Sequence, residues 1–199
     1  MGERSKLWLI RHGETQWTAT GRHTGRTDIP LAPSGGRQGE ALGRHLAGRS
    51  FVLVLCSPLQ RARETCRLAG YAGVATFTDD LLEWDYGAYE GRTTSEIRNE
   101  VHGWSIWTGG VPAGETAEQV GSRAERVITQ ALSVRGEVAL FAHGHILRVL
   151  TARWLGLPPD AGRLLALDTA SLSVLGYEHE TRVITVWNQD WHLVRQENL

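Results

Sequence analysis

Two short apolar segments, far apart in the chain, end in the same way, with a histidine followed by a glycine. Residues 9–13 read LIRHG, and residues 140–144 read LFAHG. Apolar runs of this kind predict buried strands. Parallel strands bring their carboxyl ends to one edge of a sheet, which is where ligands bind in open α/β folds. The repeated pattern therefore predicts a parallel sheet with His12 and His143 close together at one edge.

Strands and helices alternate along the rest of the chain. We expect strands at 6–11, 51–56, 74–77 and 137–142, helices from Ser34 and at 59–69, 116–133 and 146–155, and a closing antiparallel hairpin from 171–177 and 182–187. Pro58 suits the first position of the helix that follows the second strand. This alternation is typical of a three-layer α/β/α fold with a mostly parallel central sheet. The hairpin would also offer a sheet edge to a second copy in a homodimer.

Residues 79–115 interrupt the alternation. They combine acidic residues, glycines and aromatic residues with one short helical piece near 95–101. We interpret this segment as a short cap inserted over the edge of the sheet. No repeat, linker or low-complexity tract divides the chain, so residues 1–199 are predicted to form a single domain with this insertion.

Composition and charge argue against several classes of function. The 199 residues carry a formal net charge of −1, which gives no reason to expect nucleic acid or an anionic membrane as a partner. No stretch approaches the roughly 20 apolar residues that span a bilayer, and no N-terminal apolar segment has the length of a signal peptide. Two cysteines, Cys56 and Cys66, are too few for a disulfide framework. We therefore expect a cytoplasmic protein.

Arginines suited to phosphate accompany the two histidines. Arg11 directly precedes His12, and Arg61 falls on the first turn of a helix that leaves the same sheet edge. Guanidinium groups and helix N-termini both favour a phosphate dianion. His12 alone is equally well explained by a structural role, but two histidines and two arginines converging on one edge predict a phosphate-handling site.

Two other histidines are harder to place. His145 lies two residues after His143, yet no carboxylate or third histidine has the spacing of a zinc site, so we predict no metal. His23 is left open between lining the site and lying exposed in a loop.

Five motifs extend the pattern over nearly the whole chain. They are RHGET at 11–15, TGRTDIPL at 24–31, SPLQRA at 57–62, EWDYG at 83–87 with EG at 90–91, and HG at 143–144. In their order and spacing the chain resembles the histidine phosphatase superfamily, the phosphoglycerate-mutase-like proteins. The resemblance implies a phosphoglycerate-mutase-like α/β fold.

The resemblance also implies roles for individual residues. His12 is the nucleophile that becomes phosphohistidine, and Glu83 gives a proton to the leaving oxygen. Arg11, Arg61 and His143 surround the transferring phosphoryl group, and no metal or other cofactor is needed. Thr24 and Gly25 match positions where the family holds substrate phosphate. The other residues predicted to bind substrate are Tyr86, Gly144 and Trp107, whose ring suits stacking on a sugar or aryl face.

The resemblance leaves a choice between a phosphatase and a mutase. Mutases of this family use a long cap with extra basic residues, whereas Thr93 and Thr94 stand here where mutases have a lysine, and 104–110 has no paired arginines. We therefore predict a phosphomonoesterase for small phosphorylated metabolites, either of broad specificity or directed to sugar phosphates. Its motifs look like those of bacterial acid phosphatases and sugar-bisphosphate phosphatases. The alternatives are a cofactor-dependent phosphoglycerate mutase and a non-catalytic module that binds phosphate esters.

Three further arginines bear on the substrate. Arg22, Arg26 and Arg148 are candidates for holding a second phosphate, although each is equally well explained as a solvated side chain. The physiological substrate stays open at this point.

Overall fold

The computed structural model describes residues 4–194, and its central element is a six-stranded sheet. The strands are β1 (Lys6–Arg11), β2 (Leu53–Cys56), β3 (Ala75–Phe77), β4 (Glu137–Ala142), β5 (Leu172–Glu178) and β6 (Thr181–Gln189). Their order across the sheet is β3-β2-β4-β1-β5-β6. Strands β1 to β4 are parallel, and β5 runs antiparallel to both β1 and β6. The predicted, mostly parallel sheet with a closing hairpin is confirmed, whereas a homodimer at the hairpin edge stays a prediction.

Both faces of the sheet are buried. Successive side chains of a strand point to opposite faces, and in the central strands consecutive residues are apolar. In β1, Leu7 and Leu9 join the core on one face, whereas Trp8 and Ile10 join the core on the other. The apolar run of β4 divides its side chains between the same two cores. Two apolar faces require a layer of helices on each side, and the predicted three-layer α/β/α fold is confirmed.

The helical layers are built from α-helices at both faces. Those of the described residues are α1 (Gln16–Ala19), α2 (Pro33–Leu46), α3 (Gln60–Leu68), α4 (Thr94–Arg98), α5 (Ala117–Leu132), α6 (Gly144–Trp154) and α7 (Trp191–Val194). Helices α5 and α6 supply the core on one face of the sheet, and α2 and α3 supply it on the other. Within residues 4–194, no helix is both long and apolar enough to cross a membrane.

The prediction for the start of α3 is wrong, because Pro58 is not its first residue. Leu59 is the N-cap, and the helix begins at Gln60. The Gln60 amide donates to Oδ1 of Asp28 at 2.7 Å. A side chain from a distant loop therefore satisfies an N–H group that the first turn of a helix leaves unpaired.

Helix α1, at Gln16–Ala19, is not among the predicted helices. The Thr15 side chain accepts from the Thr18 amide at 3.1 Å, and the Thr18 hydroxyl accepts from the Thr15 amide at 2.8 Å. This reciprocal pair is a capping box in which threonine replaces the usual glutamate. It turns the chain directly after the RHG motif.

The segment 79–115, expected to be a cap, contains α4 and two short 3₁₀ helices, at Asp79–Leu81 and Gly87–Tyr89. Backbone hydrogen bonds attach it to the loop after α1: the His23 amide donates to the Arg92 carbonyl, and the Gly91 amide donates to the His23 carbonyl. These contacts place the segment beside the carboxyl edge of the sheet. The division of the chain into one domain with a cap stays a prediction.

Candidate active site

Parallel pairing of β1 with β4 brings the two histidines together. Arg11 lies opposite Ala142 in the register, and the His12 amide donates to the Ala142 carbonyl at 2.9 Å. The imidazole centroids of His12 and His143 are 5.1 Å apart. The shared edge inferred from the repeated sequence pattern is therefore the edge at which both side chains lie.

A cavity of about 220 Å³ opens at this edge. Its wall contains six of the predicted site residues: Arg11, His12, Thr24, Glu83, Tyr86 and Gly144. A larger groove of about 630 Å³ lies along α2, α3 and β3 and contains none of the predicted site residues. The smaller cavity is the candidate active site because the polar side chains converge there.

His12 is held as a neutral imidazole with one nitrogen available to the cavity. Its Nδ1 lies 2.7 Å from the Gly13 carbonyl oxygen, which only accepts, so Nδ1 carries the hydrogen. The lone pair is therefore on Nε2. Burial, followed by the positive charges of Arg61 and Arg11, holds the pKa of His12 well below its ordinary value of 6.5. A neutral imidazole with this tautomer is a competent nucleophile.

We expect His12 to stay neutral at pH values well below 6.5 because its pKa is lowered. The measurement is an NMR titration of the histidine Cε1–H signals, with the His12 signal assigned from a His12→Gln variant. The urea-unfolded chain, in which histidines titrate near about 6.5, is the reference. Because the unfolded chain then binds more protons, the free energy of unfolding should fall as pH drops below 6.5. A folded-state midpoint for His12 near 6.5 would contradict the expectation.

His143 is also neutral, and protein groups bind both of its nitrogens. Nε of Arg61 donates to Nδ1 of His143 at 3.1 Å, so Nε2 carries the hydrogen and donates to the Ser57 hydroxyl at 2.8 Å. Burial, then the charge of Arg61, lowers the pKa of His143 well below its ordinary value. Ser57 was not assigned a role from the sequence, although it directly follows β2 at the same sheet edge.

Arg61 is fully buried and acts as a clamp on the loop that carries Thr24. Its Nη2 donates to the carbonyls of Thr24 and Gly25, and its Nη1 donates to the carbonyl of Thr27. Together with the bond to His143, these contacts use most of the five N–H groups of the guanidinium. The structure therefore places Arg61 behind the cavity wall, holding other site residues.

Arg11, unlike Arg61, lines the cavity, as do Arg22 and Arg148. Its Nη1 donates to the Leu167 carbonyl at 2.5 Å, whereas its buried Nε has no hydrogen-bond partner among the described residues. A side-chain Cβ at Gly144 would lie 3.4 Å from this Nε and 3.7 Å from Oε2 of Glu83. The absence of a side chain at Gly144 leaves room for a ligand atom beside both groups.

Glu83 is bound to the N-terminus of α6. Its Oε1 accepts from the amides of Trp84 and Ile146, and its Oε2 accepts from the amide of His145, each at 2.9 Å. These bonds explain why α6 begins at Gly144, two residues earlier than predicted, since Glu83 satisfies amides of its first turn. Three backbone amides therefore hold the Glu83 carboxyl group in place at the N-terminus of a helix.

The structure places two of the proposed substrate-binding residues outside the cavity wall. The Gly25 amide already donates to Oε1 of Glu90 at 2.8 Å. Trp107 packs edge-on against Trp84, with the Arg148 guanidinium 4.6 Å from its ring centroid. Direct binding by Thr24, Tyr86 and Gly144, which do line the cavity, stays a prediction.

Seven further residues also line the cavity: Thr18, Gly21, Arg22, His23, His145, Arg148 and Leu167. Burial lowers the pKa of His23 to about 4, which favours the lining interpretation over the exposed one. Nδ1 of His145 lies 2.6 Å from the hydroxyl of Tyr86. Burial raises the pKa of Tyr86 and lowers that of His145, so this pair is uncharged. The sequence offered one signal for Arg148: it follows Gly144 by four residues, and residues at this spacing lie on the same face of a helix.

No cluster of three or more potential metal ligands occurs among residues 4–194. The groups that meet at the cavity are a neutral imidazole with a free Nε2, a guanidinium with an unpaired N–H, and a carboxyl group at a helix N-terminus. On the carboxyl edge of an α/β sheet, this combination defines an enzyme that handles phosphoryl groups.

The family model of the histidine phosphatase superfamily (branch 1) matches residues 7–190, and the chain belongs to this family. The acid phosphatase of Mycobacterium tuberculosis is 41% identical over 197 residues, covering 96% of this chain and 97% of that protein. Sedoheptulose 1,7-bisphosphatase of Saccharomyces cerevisiae is 35% identical over 181 residues, covering 75% of this chain and 67% of that protein. A solved structure of an open reading frame from Mycobacterium tuberculosis matches with a TM-score of 0.88 at 40% identity, covering 94% and 98%. These relationships identify the chain as a phosphatase of this superfamily.

Proposed function

We propose that the protein is a metal-independent phosphomonoesterase that hydrolyses small phosphate esters through a phosphohistidine at His12. The observation that carries this proposal is the state of His12. Its imidazole is neutral, its Nδ1–H is fixed by the Gly13 carbonyl, and its Nε2 is the nitrogen available to the cavity. A histidine kept unprotonated by burial and two neighbouring arginines is poised to attack an electrophile rather than to donate a proton.

The proposed reaction has two steps that share one carboxyl group. In the first, Nε2 of His12 forms a bond to phosphorus, the bond from phosphorus to the ester oxygen breaks, and Glu83 gives that oxygen a proton. In the second, water attacks phosphorus, the P–N bond breaks, and Glu83 takes a proton from the water. Free imidazole and protonated Glu83 are then restored. The position of Glu83 Oε2, close to Gly144 in the cavity wall, supports both proton transfers.

Positive charge at the cavity supports a reaction without metal. Phosphoryl transfer depends mostly on positioning and on stabilising charge on the equatorial oxygens. Arg11 offers its unpaired Nε–H beside Gly144, and the N-terminus of α6 adds the positive end of a helix dipole. We infer that these groups replace the metal ion of other phosphoryl-transfer enzymes.

Small sugar phosphates are the substrate class that the cavity favours. Of the three candidate arginines, Arg26 pairs with Asp85 and Glu115, and Arg22 lies 3.5 Å from Glu96. Arg148 has no carboxylate partner among the described residues and is fixed by a bond from its Nε to the Gly162 carbonyl. Four residues along a helix span about 6 Å, which suits a second anionic group a few bonds away from the ester. The bisphosphatase among the relatives is consistent with this choice.

The test is hydrolysis of p-nitrophenyl phosphate and a panel of sugar mono- and bisphosphates in excess EDTA. We expect unchanged rates, a phosphoenzyme that survives alkali and is lost in acid, and the highest kcat/KM among sugar phosphates with a second anionic group. Loss of activity in EDTA that added metal restores would refute metal independence. Interconversion of 3- and 2-phosphoglycerate faster than hydrolysis would establish a mutase, and binding without turnover would establish a binding module.

A further inference from the structure

The residues around Glu83 have little regular structure of their own. Between the 3₁₀ helix at Asp79–Leu81 and the 3₁₀ helix at Gly87–Tyr89, the backbone belongs to no helix or strand. The carbonyls of Leu82 and Glu83 therefore need partners from elsewhere in the fold, as does that of Asp80, which the first 3₁₀ helix leaves without a backbone donor among the described residues. The position of Glu83 depends on what those partners are.

A single buried side chain of α5, Arg123, supplies them. Its Nη1 donates to the carbonyls of Asp80 and Leu82 at 2.9 and 2.8 Å, and its Nη2 lies 3.4 Å from the Glu83 carbonyl. Arg123 is only 8% exposed. Its guanidinium therefore fixes the backbone at two points before Glu83 and at the carbonyl of Glu83 itself.

Glu115 completes the arrangement on the other side of Glu83. It accepts a bidentate pair of bonds from Nε and Nη2 of Arg123, both at 2.8 Å. Its Oε2 also accepts from the Asp85 amide at 3.0 Å, and its carbonyl accepts from the indole of Trp84 at 2.8 Å. Burial favours a raised pKa for Glu115, but the hydrogen bonds and charge of Arg123 outweigh it and the pKa is lowered. The pair is therefore ionic and ties down the residues that follow Glu83.

We propose that Arg123, together with Glu115, is a positioning residue for the proton donor, so that its removal impairs proton transfer to the leaving oxygen. Its N–H groups are all directed to protein acceptors, so none is left for a ligand. Only a planar guanidinium serves a bidentate carboxylate and three carbonyls at once. This inference rests on the proposed role of Glu83 in the reaction.

The way in which kcat/KM depends on the leaving group shows whether Arg123 positions Glu83 or has only a general structural role. Loss of a proton donor slows the release of a basic alkoxide far more than the release of p-nitrophenolate, which leaves without a proton. The ratio kcat/KM reports the step in which the ester bond breaks, so it carries this difference. Ordinary loosening of the fold would instead lower both values by the same factor.

The experiment compares kcat/KM for an alkyl phosphate, glycerol 1-phosphate, and for p-nitrophenyl phosphate in four variants. For Arg123→Gln we expect a fall of about 30-fold or more on the alkyl ester and less than about 3-fold on the aryl ester. Arg123→Lys should show the same selectivity, because lysine cannot reproduce the fork. Arg126→Gln is the matched control on the same helix: its guanidinium binds the Asp80 carboxylate at the surface. It should leave both values within about 2-fold.

Glu83→Gln is the fourth variant, and it distinguishes failure of the inference from failure of the proposed function. If Glu83→Gln is selective for the alkyl ester and Arg123→Gln is not, the positioning role is wrong. If Glu83→Gln itself loses both activities equally, the proton-donor role proposed for Glu83 is wrong. Should Arg123→Gln fail to fold, Glu115→Gln carries the same test: a selective loss supports the inference, and an equal loss overturns it.

Discussion

Replacing His12 with alanine is expected to lower kcat/KM for p-nitrophenyl phosphate by at least about 10⁴-fold, because it removes the proposed nucleophile. No other histidine in the wall of the described cavity has its Nδ1 fixed by a backbone carbonyl as His12 does. Both nitrogens of His143 are bound, by Arg61 and by Ser57, and Nδ1 of His145 is bound to Tyr86. The same variant should form no alkali-stable phosphoenzyme, whereas binding of inorganic phosphate should persist through Arg11.

The matched control is His102→Ala. His102 is exposed in the cap segment and should tolerate the change with full activity. Both variants should unfold with similar midpoints in urea, so that a kinetic difference is not a folding difference. Retention of more than about 1% of the activity by His12→Ala would contradict the assignment of the nucleophile, since the expected loss is far larger.

Replacing Arg61 with methionine is expected to lower the free energy of unfolding by about 3–5 kcal/mol. The guanidinium is fully buried and donates to three carbonyls of the loop at 24–27 and to Nδ1 of His143. Methionine would fill much of the volume but leave those acceptors unpaired. Because the charge of Arg61 also helps to lower the pKa of His12, the acid limb of kcat/KM should move to higher pH.

Urea denaturation followed by tryptophan fluorescence measures the first effect, and the pH profile measures the second. Arg63→Met is the control on the same helix: Arg63 is exposed and contacts the ring of Phe77 without a carboxylate partner among the described residues. Its loss should cost less than about 1 kcal/mol, as surface changes usually do. An equal cost for the two variants would show that Arg61 is not the clamp described here.

The sheet could be predicted from the sequence because its central strands carry their own signal. The bounds of β1 and β4 agree with the prediction, since both are continuous apolar runs that end at a histidine and glycine. The start of α3 could not be predicted, because it depends on Asp28, which comes from a distant loop. The start of α6 depends in the same way on Glu83. Local sequence does not record such partners.

The sequence predicted which residues belong to the site better than it predicted where their side chains lie. Motifs identified His12, Arg11 and Glu83, which the structure brings to one cavity. The motifs did not show that Arg61 turns away to bind loop carbonyls. Trp107 was predicted to contact the substrate, yet it lies outside the cavity wall, and part of its large apolar surface packs against Trp84 and the Arg148 guanidinium. Burial of that surface is more favourable than leaving it free for a ligand.

The pairing of β1 has a consequence for how the enzyme folds during its synthesis. Although β1 is near the amino terminus, both of its neighbours in the sheet, β4 and β5, come from the last third of the chain. A growing polypeptide therefore contains His12 long before β4 and β5 are present to bury it. Long-range strand pairings of this kind are also slow to form. The chain must be translated past β5 before His12 is buried in the state that we propose for the nucleophile, so we expect shorter nascent fragments to have no activity.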